Sequence, residues 1–121
     1  MNRFYPEGAL LDTPRNQLTI RSATNLAEAA MEGRVVEARA VLCDAEHNLH
    51  VEMPCMEGII PYYEGAVGIA EGTTRDIALI SRVSKPVCFT VSGFEHLPDG
   101  RRRAVLSRRD AQERCRQEYL A

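Results

Sequence analysis

His47-Asn48-Leu49-His50-Val51-Glu52-Met53-Pro54-Cys55-Met56-Glu57-Gly58-Ile59-Ile60-Pro61 is the stretch whose reading decides the fold. Leu49, Val51 and Met53 alternate with His50 and Glu52. That period of two places alternate side chains on opposite faces of a strand, so the apolar set should face a core and His50 and Glu52 should face outward. Met53-Pro54-Cys55 reads as a tight turn, and Glu57 to Pro61 as a second short strand closed by proline.

Outward from this hairpin the same period recurs. Upstream, Val35, Val36, Ala38, Ala40 and Leu42 form a strand rich in β-branched and small residues, and Asp44-Ala45-Glu46 connects it to the hairpin. Downstream, Tyr62-Tyr63-Glu64-Gly65 opens a loop that continues through Gly68 and Glu71-Gly72-Thr73-Thr74. Asp76 to Val83 fits both periods, and its Ile77-Ala78-Leu79-Ile80 run suits a buried strand, which is the expectation adopted. Pro86 starts another strand, in which Val87, Phe89 and Val91 face inward. Leu97-Pro98-Asp99-Gly100 is a turn, and Arg101 to Ser107 returns as the last strand with Ala104 and Leu106 inward.

Helices flank the strands. Asn25 has N-cap chemistry with Glu28 three residues on, and Gly33 suits a C-cap, so a short helix with Leu26, Ala29 and Ala30 on one face should plug one barrel end. Ser107 caps a final helix with Asp110 at its third position, and Ala111, Cys115 and Tyr119 form its apolar stripe. Residues 1–24 read as an irregular arm with turns at Phe4-Tyr5-Pro6-Glu7-Gly8 and Thr13-Pro14-Arg15-Asn16, tacked down by Leu10, Leu11, Leu18 and Ile20. Residues 25–121 form the domain. The expected class is mainly β: a five-stranded Greek-key barrel with short N-terminal and C-terminal helices, whose closure removes the exposed edges of short strands.

Bulk properties narrow the function classes. At 121 residues one core suffices, and 45% hydrophobic with 26% charged residues is ordinary for a soluble globular chain. No apolar run approaches the roughly 20 residues of a membrane span, and the first residues lack a signal-peptide hydrophobic region, so the expected location is cytoplasmic. Cys43, Cys55, Cys88 and Cys115 include no C-x-x-C pair and read as reduced thiols acting as small apolar residues. Net charge is −2, but residues 1 to 60 carry five basic and nine acidic side chains while residues 61 to 121 carry ten and eight. All the cations except Lys85 are arginine, the residue that stacks on bases and forks onto phosphates, so the second half keeps nucleic-acid binding open.

Gly33-Arg34-Val35-Val36-Glu37-Ala38, Asn48-Leu49-His50-Val51 and Met56-Glu57-Gly58-Ile59-Ile60-Pro61 together resemble the first three strands of the ribosomal-protein-S-one RNA-binding domain. Val87 to Val91 looks like its fourth strand, and Ala104-Val105-Leu106-Ser107-Arg108-Arg109 like its fifth running into a helix. The likeness covers roughly residues 25 to 120. The Phe4-Tyr5-Pro6-Glu7-Gly8 arm and the Cys43-Asp44-x-x-His47-Asn48-Leu49 stretch also resemble a closer group of small bacterial proteins. The family implies an OB-fold barrel, mainly β, that binds single-stranded RNA; no cofactor is expected. It implies a place in translation or RNA metabolism, with the ribosome or further domains of the same type as other partners. His47 and His50 stand where the family usually carries two aromatic residues, and Pro61 replaces a histidine often found at the end of the third strand. The family's acidic and basic pair near the last turn corresponds to Glu95 and one of Arg101, Arg102 or Arg103.

The expected RNA-binding residues follow from how single strands are held, by stacking platforms and a cationic track. His47, His50, Tyr62 and Tyr63 supply the rings, with one of the consecutive tyrosines buried and the other available. Arg82 and Lys85 flank one side of the groove and Arg101, Arg102 and Arg103 the other. Arg108 and Arg109 lie in the first turn of a helix, where the dipole disfavours cations, so a carboxylate or an outside anion should face them. Two other chemistries have candidate residues. Cys43, His47, His50 and Cys55 are ligand types that zinc takes, at a spacing that matches no standard finger. Cys43 with His47 is a thiol and base without an orienting third group. Neither a metal nor a catalytic site is therefore assigned. The alternative function is a barrel that docks proteins and has little RNA affinity.

Overall fold

In a computed structural model the strands close into one barrel in the order β1-β2-β3-β5-β4. The structure describes residues 7–69, 72 and 77–120, with Ile77 and residues 116–120 described by backbone alone. The strands are β1 (Val36–Cys43), β2 (Leu49–Glu52), β3 (Glu57–Ile60), β4 (Pro86–His96) and β5 (Arg102–Ser107). All pairings are antiparallel except that of β3 with β5, where Ile59 lies beside Val105. The helices are α1 (Pro14–Arg21), α2 (Ala23–Glu32), α3 (Ile77–Ile80) and α4 (Arg108–Leu120), with a single 3-10 turn at Tyr62–Glu64.

The alternation read from sequence sets the core. Val36, Ala38, Ala40, Leu49, Val51, Ile60, Val87, Phe89, Ala104 and Leu106 all point inward and are buried. One expected inward residue does not: the ladder slips between Ala40 and Leu42, and the extra residue turns both Val41 and Leu42 out to solvent.

The arm was expected to be irregular over 1–24, and residues 14–21 are instead α1. Thr13 caps that helix, its hydroxyl accepting from the Asn16 amide, and Pro14 occupies the first turn. Thr-Pro is thus a helix start here, where the lost proline N–H has no partner to lose. The second helix is capped by Ser22 rather than Asn25, which lies inside it and donates its amide to the Ser22 hydroxyl. Gly33 closes that helix at φ 64, the left-handed geometry glycine adopts without strain.

The Asp76 to Val83 strand is also corrected, because residues 77–80 are the short helix α3. Barrel closure explains it: β1 already pairs with β4 from Val36 to Arg39, so no edge there is free for another strand. Asp76, the loop residues Glu71, Thr73 and Thr74, the Phe4-Tyr5-Pro6 turn and the Tyr119 side chain lie outside the described residues.

Candidate nucleic-acid interface

The loop from β1 to β2 is built on Asp44 and Asn48. Asp44 Oδ1 accepts from the amides of Glu46 and Asn48, both at 3.0 Å, and its carbonyl accepts from the His47 amide at 2.9 Å. The Asp44 amide in turn donates to the Asn48 carbonyl at 3.0 Å. This turn drives His47 to φ 65, an uncommon conformation for a residue with a Cβ, and histidine is among those that tolerate it best.

Three further bonds carry the loop into the strands. His50 Nε2 lies 2.9 Å from Asp44 Oδ2, and Asn48 Nδ2 donates to the same oxygen at 3.2 Å. Asn48 Oδ1 accepts from the Tyr62 amide at 2.9 Å, which fixes the 3-10 turn after β3 to the loop before β2. Rings then gather. His47 and Tyr62 are 5.8 Å apart between centroids and inclined by 47°, and Tyr62 and Tyr63 are 4.8 Å apart and inclined by 54°. Tyr62 packs partly against the core and Tyr63 is 60% exposed, so one tyrosine anchors and the other faces solvent.

His50 sits in a row that crosses the outside of the barrel. It lies opposite Leu42 on β1 and Ile59 on β3, and Ile59 lies beside Val105 on β5. His50 is on β2 itself, His47 precedes that strand, and Tyr62 and Tyr63 follow β3.

The cations are placed differently from what the sequence suggested. Arg82 is engaged within the fold: its Nη2 donates to the Pro86 carbonyl at 2.5 Å and lies 3.2 Å from Glu7 Oε1. Lys85 is exposed at the start of β4. Arg101 pairs with Asp99 at 2.7 Å and reaches Glu57 at 3.5 Å. Arg103 lies opposite Glu95 and pairs with it at 2.6 Å, which settles which arginine of the triplet faces Glu95. Arg102 lies over the Phe94 ring, 4.9 Å from its centroid. Because Arg103 and Glu57 are neighbours across β3–β5 while Tyr62 follows the Ile60 end of β3, the arginines and the rings stand at opposite ends of that strand, roughly 10 Å apart along it. His47, Tyr62 and Tyr63 are brought together; the arginine triplet stands apart from them.

The carboxylates facing the helix start are Glu7 for Arg108, at 2.6 Å, and Glu64 for Arg109, at 4.0 Å. Cys55 lies past the far end of β2 with its amide on the Ile20 carbonyl, at the opposite end of the strand from Cys43. Among the described residues, no group of three or more His, Cys, Asp or Glu side chains is placed to hold a metal ion.

Sequence reading missed Asp44 and Asn48, although the signal was present. An aspartate followed four residues later by an asparagine, directly after a strand, is hydrogen-bonding turn chemistry. Val41, Leu42 and Ile80 were missed too: with Val83 and His47 they line an open groove of about 410 Å³ beside the Asp44 turn. No protein-family model matches the chain, and no curated protein sequence matches it significantly. Among the described residues no helix is long and apolar enough to cross a membrane.

Proposed function

We propose that this chain is a Greek-key OB-type barrel, cytoplasmic and non-enzymatic, that binds single-stranded RNA through stacking and serves translation or RNA metabolism. The observation that carries the reading is the ring cluster of His47, Tyr62 and Tyr63, with His50 beside it on the β2–β3 side. OB barrels bind oligonucleotides on the face of their second and third strands and on the loop between their first and second. Both places are furnished here with rings. The strand order, with β3 beside β5 in parallel, and the family resemblance of the strand sequences support the same assignment.

Stacking then outweighs charge. Arg101 and Arg103 already hold carboxylates, so Lys85 and Arg102 are left to follow the phosphates. Few counterions are released, and the slope of log affinity against log salt should be shallow, about −1 to −2. Fluorescence anisotropy with an unstructured RNA of about ten nucleotides, at low and high salt, tests this. Tyr63→Ala should weaken binding on the order of tenfold, the loss of one stacked base. Absence of binding by the intact chain at low salt would sink the RNA reading.

One observation favours a second reading, a protein-docking barrel. Val41, Leu42 and Ile80 are each about half exposed around one groove. If that reading holds, RNA leaves the amide resonances of His50 and Tyr63 unmoved, and Leu42→Asp abolishes binding of a protein partner.

A further inference from the structure

We propose that Asp44 and Asn48 are positioning residues: a two-residue hydrogen-bonded hub that presets the ring-bearing face before any ligand arrives. The ligand in the test below rests on the RNA reading, whereas the hub itself stands on geometry.

Each of the three ring residues nearest the loop is tied to the hub by a different kind of bond. His47 is tied by its backbone, through the Asp44 carbonyl at 2.9 Å. His50 is tied by its side chain, through Asp44 Oδ2 at 2.9 Å. Tyr62, fourteen residues from Asn48, is tied by its amide through Asn48 Oδ1 at 2.9 Å. The hub residues hold each other through the Asn48 amide on Asp44 Oδ1 and the Asn48 side-chain NH₂ on Asp44 Oδ2. Both Asp44 oxygens therefore carry two donors each, and a carboxylate so saturated has one orientation.

The arrangement also fixes the chemistry of His50. An ionised carboxylate only accepts, so the imidazole nitrogen facing it must carry the hydrogen. The neutral ring is thereby held as the Nε2–H tautomer, with Nδ1 left as an acceptor. The benefit is preorganisation: the His50 ring loses less side-chain freedom when a base stacks on it, and the backbone from which His47 and Tyr62 project is already ordered.

Asp44→Asn is the discriminating variant. Its remaining side-chain oxygen can still accept from the Glu46 and Asn48 amides, so the turn is kept. Its NH₂ replaces the Oδ2 that faced two donors: the Asn48 NH₂ loses its acceptor there, and His50 must accept through Nε2 and carry its hydrogen on Nδ1. ¹⁵N NMR of the imidazoles of the full chain, at a pH that leaves them neutral, should show His50 changing tautomer in a chain that stays folded, with amide resonances outside the loop unmoved. Asn48→Ala, a second variant, should leave the His50 tautomer alone and shift the Tyr62 amide resonance. Both variants should weaken binding of the same short RNA about tenfold. An unmoved tautomer in Asp44→Asn together with an unmoved Tyr62 amide in Asn48→Ala overturns the hub. Wild-type affinity for RNA in both variants overturns its positioning role. Failure of the wild-type chain to bind RNA rejects the RNA reading instead, and the two NMR signatures still decide the hub.

Discussion

Asp44 makes a proton-linked contribution whose sign can be worked out. Its hydrogen bond with His50, followed by those from Asn48 and Glu46, holds its pKa at about 2, below the ordinary 3.8. A carboxylate whose folded pKa is depressed stabilises the fold in full above its unfolded value and loses that contribution as pH falls through the folded one. The difference in melting temperature between wild type and Asp44→Asn should therefore be constant above about pH 5 and shrink between 3.8 and about 2. Thermal melts across that range check it, and a difference that grows on acidification would refute the assignment. At this scale the sequence showed which residues have rings, because ring-bearing types are visible in any order. It did not show that Arg82 and Arg101 are already paired, nor which arginine of the triplet holds Glu95. Their partners Glu7, Asp99, Glu57 and Glu95 include residues 75 and 44 positions away along the chain, and only tertiary folding brings those close.

The strand elements were legible where burial has one periodicity and obscure where two layers compete. Leu49, Val51 and Met53 face one core, so the alternation read true. In β1, Val36, Glu37 and Ala38 are all buried, because the arm covers the outer face that alternation assigns to solvent. Residues 77–80 misled through their β-branched content, since only barrel closure excludes a further strand there. The Glu57-Gly58 pair has a steric reason that the sequence could only hint at. A Cβ at Gly58 would lie 2.5 Å from Leu106 Cδ1 and 3.2 Å from Met53 Cε, both on buried side chains. Gly58→Ala should therefore overpack the β3–β5 contact and cost about 1–3 kcal/mol, read from the midpoint of urea unfolding. Ser107, read correctly as a cap, also donates to Glu64 Oε1 at 2.6 Å while accepting from the Asp110 amide at 2.9 Å. Ser107→Ala should cost about 1 kcal/mol or somewhat more, because it removes a cap and a second hydrogen bond together.

Across the whole molecule the arm is fastened by polar bonds more than by the leucines expected to tack it down. Leu18 is exposed, whereas Asn16 uses its side-chain amide as a strand partner would, donating to the Glu37 carbonyl and accepting from the Glu37 amide, both at 2.8 Å. The Glu37 carboxylate in turn accepts from the Gly8 and Leu10 amides. The strongest tie is Glu7 with Arg108. The guanidinium is buried and grips Glu7 through Nε at 2.7 Å and Nη2 at 2.6 Å, while Nη1 donates to the Gly65 carbonyl. Glu7 also takes the Cys88 amide at 2.8 Å, so one carboxylate joins the arm, β4 and the start of α4. Burial by itself would raise the Glu7 pKa, but Arg108, the Cys88 amide and Arg82 outweigh it and leave the group below its ordinary value. Removing the carboxylate strands a buried cation, so Glu7→Ala should destabilise the fold by about 3 kcal/mol. It should also speed alkylation of Cys88, whose thiol burial and the nearby Glu7 charge push up and hold unreactive. Because the cost comes from an unpaired charge, Glu7→Ala combined with Arg108→Met should recover most of the lost stability, since an apolar side chain of similar length needs no partner. Urea unfolding of the two single variants and the double variant measures the coupling. A double variant no more stable than Glu7→Ala alone would mean that Glu7 acts by holding the arm in place and not by neutralising Arg108.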